Sequence, residues 1–352
     1  MIQQLRDIQA NAGATFDSVV GISVPVSFGN DAAAIQAAKE GVALCDRSHW
    51  GRLVVSDDER LRFLHNQSTN DFQKLKAGEG CDTVFVTSTA RTIDLVTAYI
   101  MEDAVLLLVS PNRRQQLMEW MDRYLFPMDR VELKDISNQS ATFSLIGSES
   151  DALLQKLGIE LPVGEAYASH QELKLGGIPV RVAVGSGLTL PGYTLIISAD
   201  DAAKLWQMLI EAGAIPMGDR LWEQLRIEQG RPTPDRELTD DYNPLEAGLW
   251  QTISFSKGCY IGQETIARLN TYKGVKQQLW GIRLSAPVQP GSVVTVEGDK
   301  VGTLTSFTET DRGPIGLAYI RTKAGGVGLK VQVAEVEGEI VEVPFLTHEY
   351  QS

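Results

Sequence analysis

The sequence predicts an α+β protein, with antiparallel sheets and packed helices followed by an all-β barrel at the C-terminal end. Two observations carry this expectation. Up to residue 275 the strand and helix signals run β-β-β-α-β-β-α-β-β-β-α, which is not the strict βαβ alternation of a doubly wound fold. From Gln278 onward only short strands remain, divided by turn signals. The expected domains are therefore 1–275, made of two interleaved α+β subdomains, and 276–352, the barrel.

Taken in order, Ile2, Leu5 and Ile8 recur at helical spacing before Gly13, so residues 2–12 are expected to be a helix. A single strand is expected over Ser18–Val26, then an Ala-rich helix over Asp31–Glu40, capped by Asn30 and closed by Gly41. Asp57–Asn66 reads as a helix with Leu61 and Leu64 inward, and Gln67-Ser68-Thr69-Asn70-Asp71 as a polar turn. Thr83–Thr87 and Ile93–Met101 are expected strands joined by Ser88-Thr89-Ala90-Arg91, with Ala104–Val109 a third. Ser110-Pro111 supplies a cap and an N1 proline for a helix bearing Leu117, Trp120, Met121 and Leu125. A strand, a serine and a helix recur at Tyr193–Ile197, Ser198 and Ala199–Glu211, which together with 141–157 hints at a repeated β-α unit. Gly218–Gly230 reads as a helix and Arg231–Tyr242, with Pro232 and Pro234, as a loop. The barrel strands are expected at 278–284, 292–296, 301–308, 315–320, 329–333 and 340–345.

Composition narrows the function. The chain has 352 residues, 43% hydrophobic and 22% charged, ordinary for a globular protein with a sizeable core. Its formal net charge of -13 argues against general nucleic-acid binding. The N-terminus is too polar for a signal-peptide core and no apolar run reaches membrane-spanning length, so a cytoplasmic location is expected; an organellar mature chain would look the same. Cys45, Cys81 and Cys259 lie far apart without a C-x-x-C pair, so neither a disulfide framework nor a protein-held metal site is expected, and the four thiolates of an iron-sulfur cluster are absent.

One stretch stands apart, Lys257-Gly258-Cys259-Tyr260-Ile261-Gly262-Gln263-Glu264. Gly258 and Gly262 bracket a cysteine and permit a sharp turn with close backbone approach. The helix-forming run from Gln263 to Leu269 carries Glu264 in its first turn and Arg268 near its end, matching the macrodipole. A helix N-terminus and the neighbouring Lys257 both favour a thiolate, which makes Cys259 a candidate reactive thiol. From Lys257 to Arg283 five basic residues (Lys257, Arg268, Lys273, Lys276, Arg283) face one acid, Glu264. This basic island suits a small polyanion such as the carboxylate tail of a cofactor.

The eight-residue string resembles, without gaps, the K-G-C-[FY]-x-G-Q-E signature of the YgfZ family, folate-binding relatives of the glycine-cleavage T-protein implicated in making or maintaining iron-sulfur clusters. The resemblance implies a T-protein-like folate-binding region over 1–275, tetrahydrofolate or a polyglutamylated derivative as cofactor, and iron-sulfur assembly proteins or cluster-containing enzymes as partners. It implies Cys259 as the reactive residue, with Lys257 holding the thiolate. Gly258 and Gly262 would shape the turn, Tyr260 would pack or donate its hydroxyl, and Gln263 and Glu264 would fix the helix start or face a partner.

Other segments extend the likeness. Cys45-Asp46-Arg47-Ser48-His49-Trp50-Gly51 resembles the family's D-x-S-H-x-G; with no acid or nucleophile visibly paired to it, His49 reads as a structural histidine. Gln67 to Asp71 is similar to its L-T-N-D turn. Ala90-Arg91-Thr92-Ile93-Asp94-Leu95-Val96 lies on the T-protein's G-G-I-x-D-D-L, which places Asp94 on the aspartate that orients the folate amine, while both glycines and the second aspartate are absent. Read without the resemblance, Asp94 is a solvated strand carboxylate. Gly187 to Tyr193 resembles the Y-T-G-E-D-G loop, with Leu190 in place of the pterin-gripping glutamate. Arg226-Ile227-Glu228-Gln229-Gly230 resembles R-L-E-A-G, whose arginine contacts folate, so Arg226 is the implied anchor. A true aminomethyl or methyl transferase, with Asp94 positioning the folate amine, is the alternative function.

Overall fold

A computed structural model describes residues 2–159 and 165–350. The chain forms two compact units, one of residues 1–63, 74–82 and 96–223, the other of 64–73, 83–95 and 224–352.

The first unit is built on a six-stranded sheet in the order His170–Leu175, Ile178–Val184, Gly192–Ser198, Ser140–Ile146, Ala43–Asp46, Ile215–Met217. Its pairs are antiparallel except the last, where Ile215–Met217 runs parallel to Ala43–Cys45. Alternation fixes the register, so that Phe143 faces Leu195 and Leu145 faces Tyr193. The helix Ala202–Ala212 brings Leu205, Trp206 and Leu209 into this core, where Trp206 stacks on Phe28 and meets Phe143 edge-on. Gly213 ends that helix at φ +117°, a left-handed position that glycine takes without strain.

A five-stranded sheet follows the order Gly80–Val86, Thr92–Ile100, Ala104–Val109, Gly51–Ser56, Glu132–Asp135. Ala104–Val109 is buried throughout, as its unbroken apolar run requires. In the second unit six strands close into a barrel in the order Gln277–Leu284, Gly313–Arg321, Asp299–Thr310, Val293–Val296, Lys330–Val333, Val336–Val341. Leu304, Ala318, Ile320, Val333 and Ile340 fill it.

The fold class and the barrel are as expected, and several details differ. The strand expected over Ser18–Val26 is a hairpin, Thr15–Val19 against Ile22–Ser27, because Val20 and Gly21 both take positive φ and turn the chain. Asn30 sits before its helix but donates its side chain to the Pro216 carbonyl instead of capping. The helix expected over Asp57–Asn66 starts at Arg60, after Asp57 adopts φ +75°. The last barrel strand lies at Val336–Val341, earlier than expected, since the hairpin after Val333 is tight and Val333 already pairs with Val336.

Candidate functional site

The helix Arg60–Gln67 ends in the turn that carries Ser68, Asn70 and Asp71, and the segment around Cys259 is laid against that helix end. Lys257 is buried, and its ammonium donates to the carbonyls of His65, Ser68 (2.8 Å) and Asn70 (2.7 Å). Three acceptors are what an ammonium needs to leave water at tolerable cost. The same group lies 4.6 Å from the centre of the Tyr260 ring, a cation–π contact. Four residues on, the Ile261 amide donates to the Asn66 carbonyl at 3.0 Å. Upstream, the Ser254 amide donates to Thr69, and the Thr69 hydroxyl donates to the Thr252 carbonyl.

Cys259 lies between these two attachments, free and exposed, whereas Cys45 is buried. Gly258, also exposed, has room for a side chain: a Cβ there would lie 3.5 Å from His65 Nε2. Gly262 has none, because it takes φ +82° and a Cβ would come within 2.9 Å of the Thr87 carbonyl. Tyr260 is buried among Ala90, Leu245, Trp250, Ile253 and Ile266, and burial pushes its phenol well above the usual range. Gln263–Thr271 is helical, with Glu264 exposed in its first turn. Lys257, Gly258, Cys259, Tyr260, Gly262, Gln263 and Glu264 thus form one local structure.

Two further residues belong to it that the sequence did not single out. His65 Nδ1 lies 3.2 Å from Asp71 Oδ1, with both side chains mostly buried. Asp71 reads in sequence as turn chemistry, and nothing in the spacing marks His65. Only the folded helix end brings them beside Gly258.

Asp94 sits in the strand Thr92–Ile100 and is fully buried, not solvated as the residue type alone suggests. Arg226, at the end of the helix Asp219–Gln229, is built into another network. Its guanidinium donates to Glu237 Oε2 at 2.9 Å and to the Ser306 hydroxyl at 2.8 Å. Glu237, fully buried, also accepts from the hydroxyls of Thr305 and Ser306 and from the Thr233 amide. The loop expected over Arg231–Tyr242 therefore contributes the counter-charge to Arg226.

In the other unit His49 is buried with its Nε2 3.4 Å from Asp219 Oδ1. Burial holds the imidazole neutral, down to about 3, and burial together with the charge of Glu223 pushes the Asp219 carboxyl up to about 7. Burial, the largest influence, would raise Asp46, but the charge of Arg6 together with hydrogen bonds from Ser48, Gln9 and Arg6 outweighs it and holds that carboxyl below its ordinary value. Among the described residues no group of three or more His, Cys, Asp or Glu side chains is placed to hold a metal ion. No helix among them is long and apolar enough to cross a membrane.

This chain belongs to the family described as the GCVT N-terminal domain, whose model matches residues 5–257. It is 49% identical over 327 residues, 92% of this chain and 76% of the relative, to a chloroplastic protein of Arabidopsis thaliana that carries a provisional transferase name. It is also 30% identical over 361 residues, 97% of this chain and 96% of the relative, to the aminomethyltransferase of Symbiobacterium thermophilum. In fold it resembles the crystal structure of glycine cleavage system aminomethyltransferase T from Bartonella henselae, with a TM-score of 0.86, 99% of each chain covered and 18% identity.

Proposed function

We propose that this protein is a tetrahydrofolate-binding accessory factor for iron-sulfur cluster assembly or repair, of the YgfZ type, with Cys259 as its reactive thiol. The observation that carries the reading is the exposed thiol on a turn fastened at both sides, by Lys257 and by Ile261. Such fastening holds a nucleophile in place while leaving it open to a partner. Lys257 serves here as a positioning residue, since its ammonium is held by backbone carbonyls.

Tetrahydrofolate fits the residues in part. Asp94, a fully buried carboxylate in the strand Thr92–Ile100, stands at the position that the family resemblance gives to the aspartate orienting the folate amine. Arg226 is already paired with Glu237, so a glutamate or polyglutamate tail falls to the exposed Lys273 and Lys276 of the basic island. The same island suits an acidic iron-sulfur partner. The cell compartment in this reading is the cytoplasm or, given the chloroplastic relative, an organelle.

The test is deletion of the encoding gene, assay of an oxidant-sensitive [4Fe-4S] enzyme in extracts, and rescue by wild type or by Cys259→Ser. Rescue by wild type alone is expected. Full rescue by the serine variant removes the thiol from the function. A second reading, a folate-dependent aminomethyl or methyl transferase, is favoured by the aminomethyltransferase names of relatives and by the buried Asp94. Incubation with tetrahydrofolate and aminomethyl-lipoyl protein decides it, and absence of methylene-tetrahydrofolate ends it.

A further inference from the structure

The basic island that runs from Lys257 to Arg283 in the sequence is redrawn by the fold. Two of its members leave it: Lys257 is buried on backbone carbonyls, and Arg283 stands opposite Glu339 on the barrel. Two other cations enter. Gln277 pairs with Arg321, and the Thr322 amide donates to the Lys276 carbonyl at 2.9 Å, which sets the exposed Arg321 and Lys323 beside Lys276. Arg268, Lys273, Lys276, Arg321 and Lys323 are all exposed, and among the described residues none of them takes part in an ion pair. Glu246, whose carboxyl feels the charge of Lys276, is itself buried. Elsewhere exposed cations are matched, Arg130 with Asp58 and Lys330 with Glu339. An unmatched cation cluster is therefore exceptional on a chain of net charge -13.

The cluster is joined to the thiol by one helix, Gln263–Thr271. Glu264, Ala267, Arg268, Thr271 and Tyr272 are exposed and recur at the spacing of a single helical face, while Ile266 is buried and Leu269 packs on the same core. One end of that face adjoins the turn of the exposed Cys259, and the other carries Tyr272, 78% exposed, among the cations. Nine residues of helix span about 14 Å. A standard interface buries about 800 Å² on each partner, a patch roughly 30 Å across. A protein seated on the cations and along this face therefore reaches the turn of Cys259. Tyrosine is a residue type that interfaces favour as an anchor. Lys273 takes φ +49°, a left-handed position that glycine occupies at less cost, so a cation is kept there against the backbone's preference. A nucleic acid would meet the field of the acidic remainder of the chain, whereas a folded partner with a local acidic surface need meet only this face.

We propose that the outer face of Gln263–Thr271, with Tyr272 and the five cations, docks a second protein through an acidic surface and so presents it to Cys259. The purpose of such docking rests on the reading of Cys259 as the reactive thiol. Arg321 and Lys323 lie outside the cations given to a folate tail, so reversing their charge separates the two uses of the island.

The test places the photo-crosslinking residue p-benzoylphenylalanine at position 272 of the full-length protein in its own cells, with position 20, where Val20 is 60% exposed, as the control. An adduct with another protein is expected from position 272 and not from position 20. That protein, identified by mass spectrometry, purified and titrated against the full-length chain, is expected to be acidic and to bind more weakly as salt is added. Its affinity is expected to fall at least about tenfold for Arg321→Glu with Lys323→Glu, and its binding to slow the alkylation of Cys259 by iodoacetamide. The proposal is overturned by absence of an adduct at 272, by an adduct with a second copy of this chain, by a partner that is not acidic, or by unchanged affinity in the folded double variant. Should that variant fail to fold, Arg321→Gln with Lys323→Gln serves, with a loss of about threefold expected and unchanged affinity again decisive. Displacement of the partner by an equal concentration of pentaglutamate would give the cations to a cofactor tail and also overturn it. These readouts need neither folate nor a cluster enzyme: an adduct that meets them, with full rescue by Cys259→Ser, keeps the docking face and discards the thiol's role, and loss of the adduct with rescue that still requires Cys259 does the reverse.

Discussion

Lys257 Nζ lies 2.7 Å from the carbonyl oxygen of Asn70, a residue 187 positions earlier in the chain. The contact is one of three that close the helix end with a cation, a position where the macrodipole and the last carbonyls favour positive charge. Lys257→Met keeps the length of the side chain and removes the donors, leaving buried carbonyls unpaired. A loss of about 2–4 kcal/mol is expected from the urea midpoint, together with altered alkylation of Cys259. Unchanged stability would mean that water replaces the ammonium.

The two glycines of the motif differ in what they tolerate. Gly262→Ala forces a Cβ into a left-handed residue and against the Thr87 carbonyl, and is expected to cost about 2–4 kcal/mol. Gly258→Ala meets only ordinary contact with His65 and should stay within about 0.5 kcal/mol of wild type. Thermal melts of the pair check the contrast.

Glu237 neutralises Arg226 in a fully desolvated setting, and removing one partner alone leaves the other charge uncompensated. Glu237→Gln is expected to cost about 3–5 kcal/mol, and Arg226→Met with Glu237→Leu together less than the sum of the two single changes. Additive effects in a double-mutant cycle would contradict the coupling.

Asp219 gives a pH prediction. Its carboxyl is raised from 3.8 to about 7 in the folded protein, so the folded state keeps a proton that the unfolded chain releases. Its contribution is therefore full below about pH 4 and is lost as pH rises to about 7. Asp219→Asn should melt close to wild type near pH 4.5 and increasingly above it up to pH 7, with no further gain beyond. The buried neutral His49 acts in the opposite sense as pH falls below 6.5, but it is present in both proteins and cancels in the difference. A difference independent of pH would show that Asp219 ionises normally.

Much of this molecule was readable where the signal is local. Ala104–Val109 is an apolar run with turn residues at each end, and the structure puts the strand at those bounds. Gly262 before a helix-forming run marks a helix start, and the helix begins at Gln263. The short strands Glu132–Asp135, His170–Leu175 and Ile215–Met217 escaped because each is short or carries charge, and pairing with neighbours decides them. The site divides in the same way. The motif from Lys257 to Glu264 is contiguous and announces itself. The direction of the Lys257 side chain does not, since it depends on carbonyls that only the fold supplies, and His65 meets Asp71 through the turn between them. The pairing of Arg226 with Glu237 was hidden for a related reason: a buried acid inside a polar, proline-containing loop reads as a surface charge.

The barrel, finally, closes on itself, with Gln277–Leu284 bonded to Gly313–Arg321 on one side and to Val336–Val341 on the other. A sheet that returns to its own first strand offers no unpaired ladder of amides and carbonyls. An extended peptide therefore cannot be recognised here by adding itself as another strand, and whatever this barrel meets must be read through side chains and loop tips.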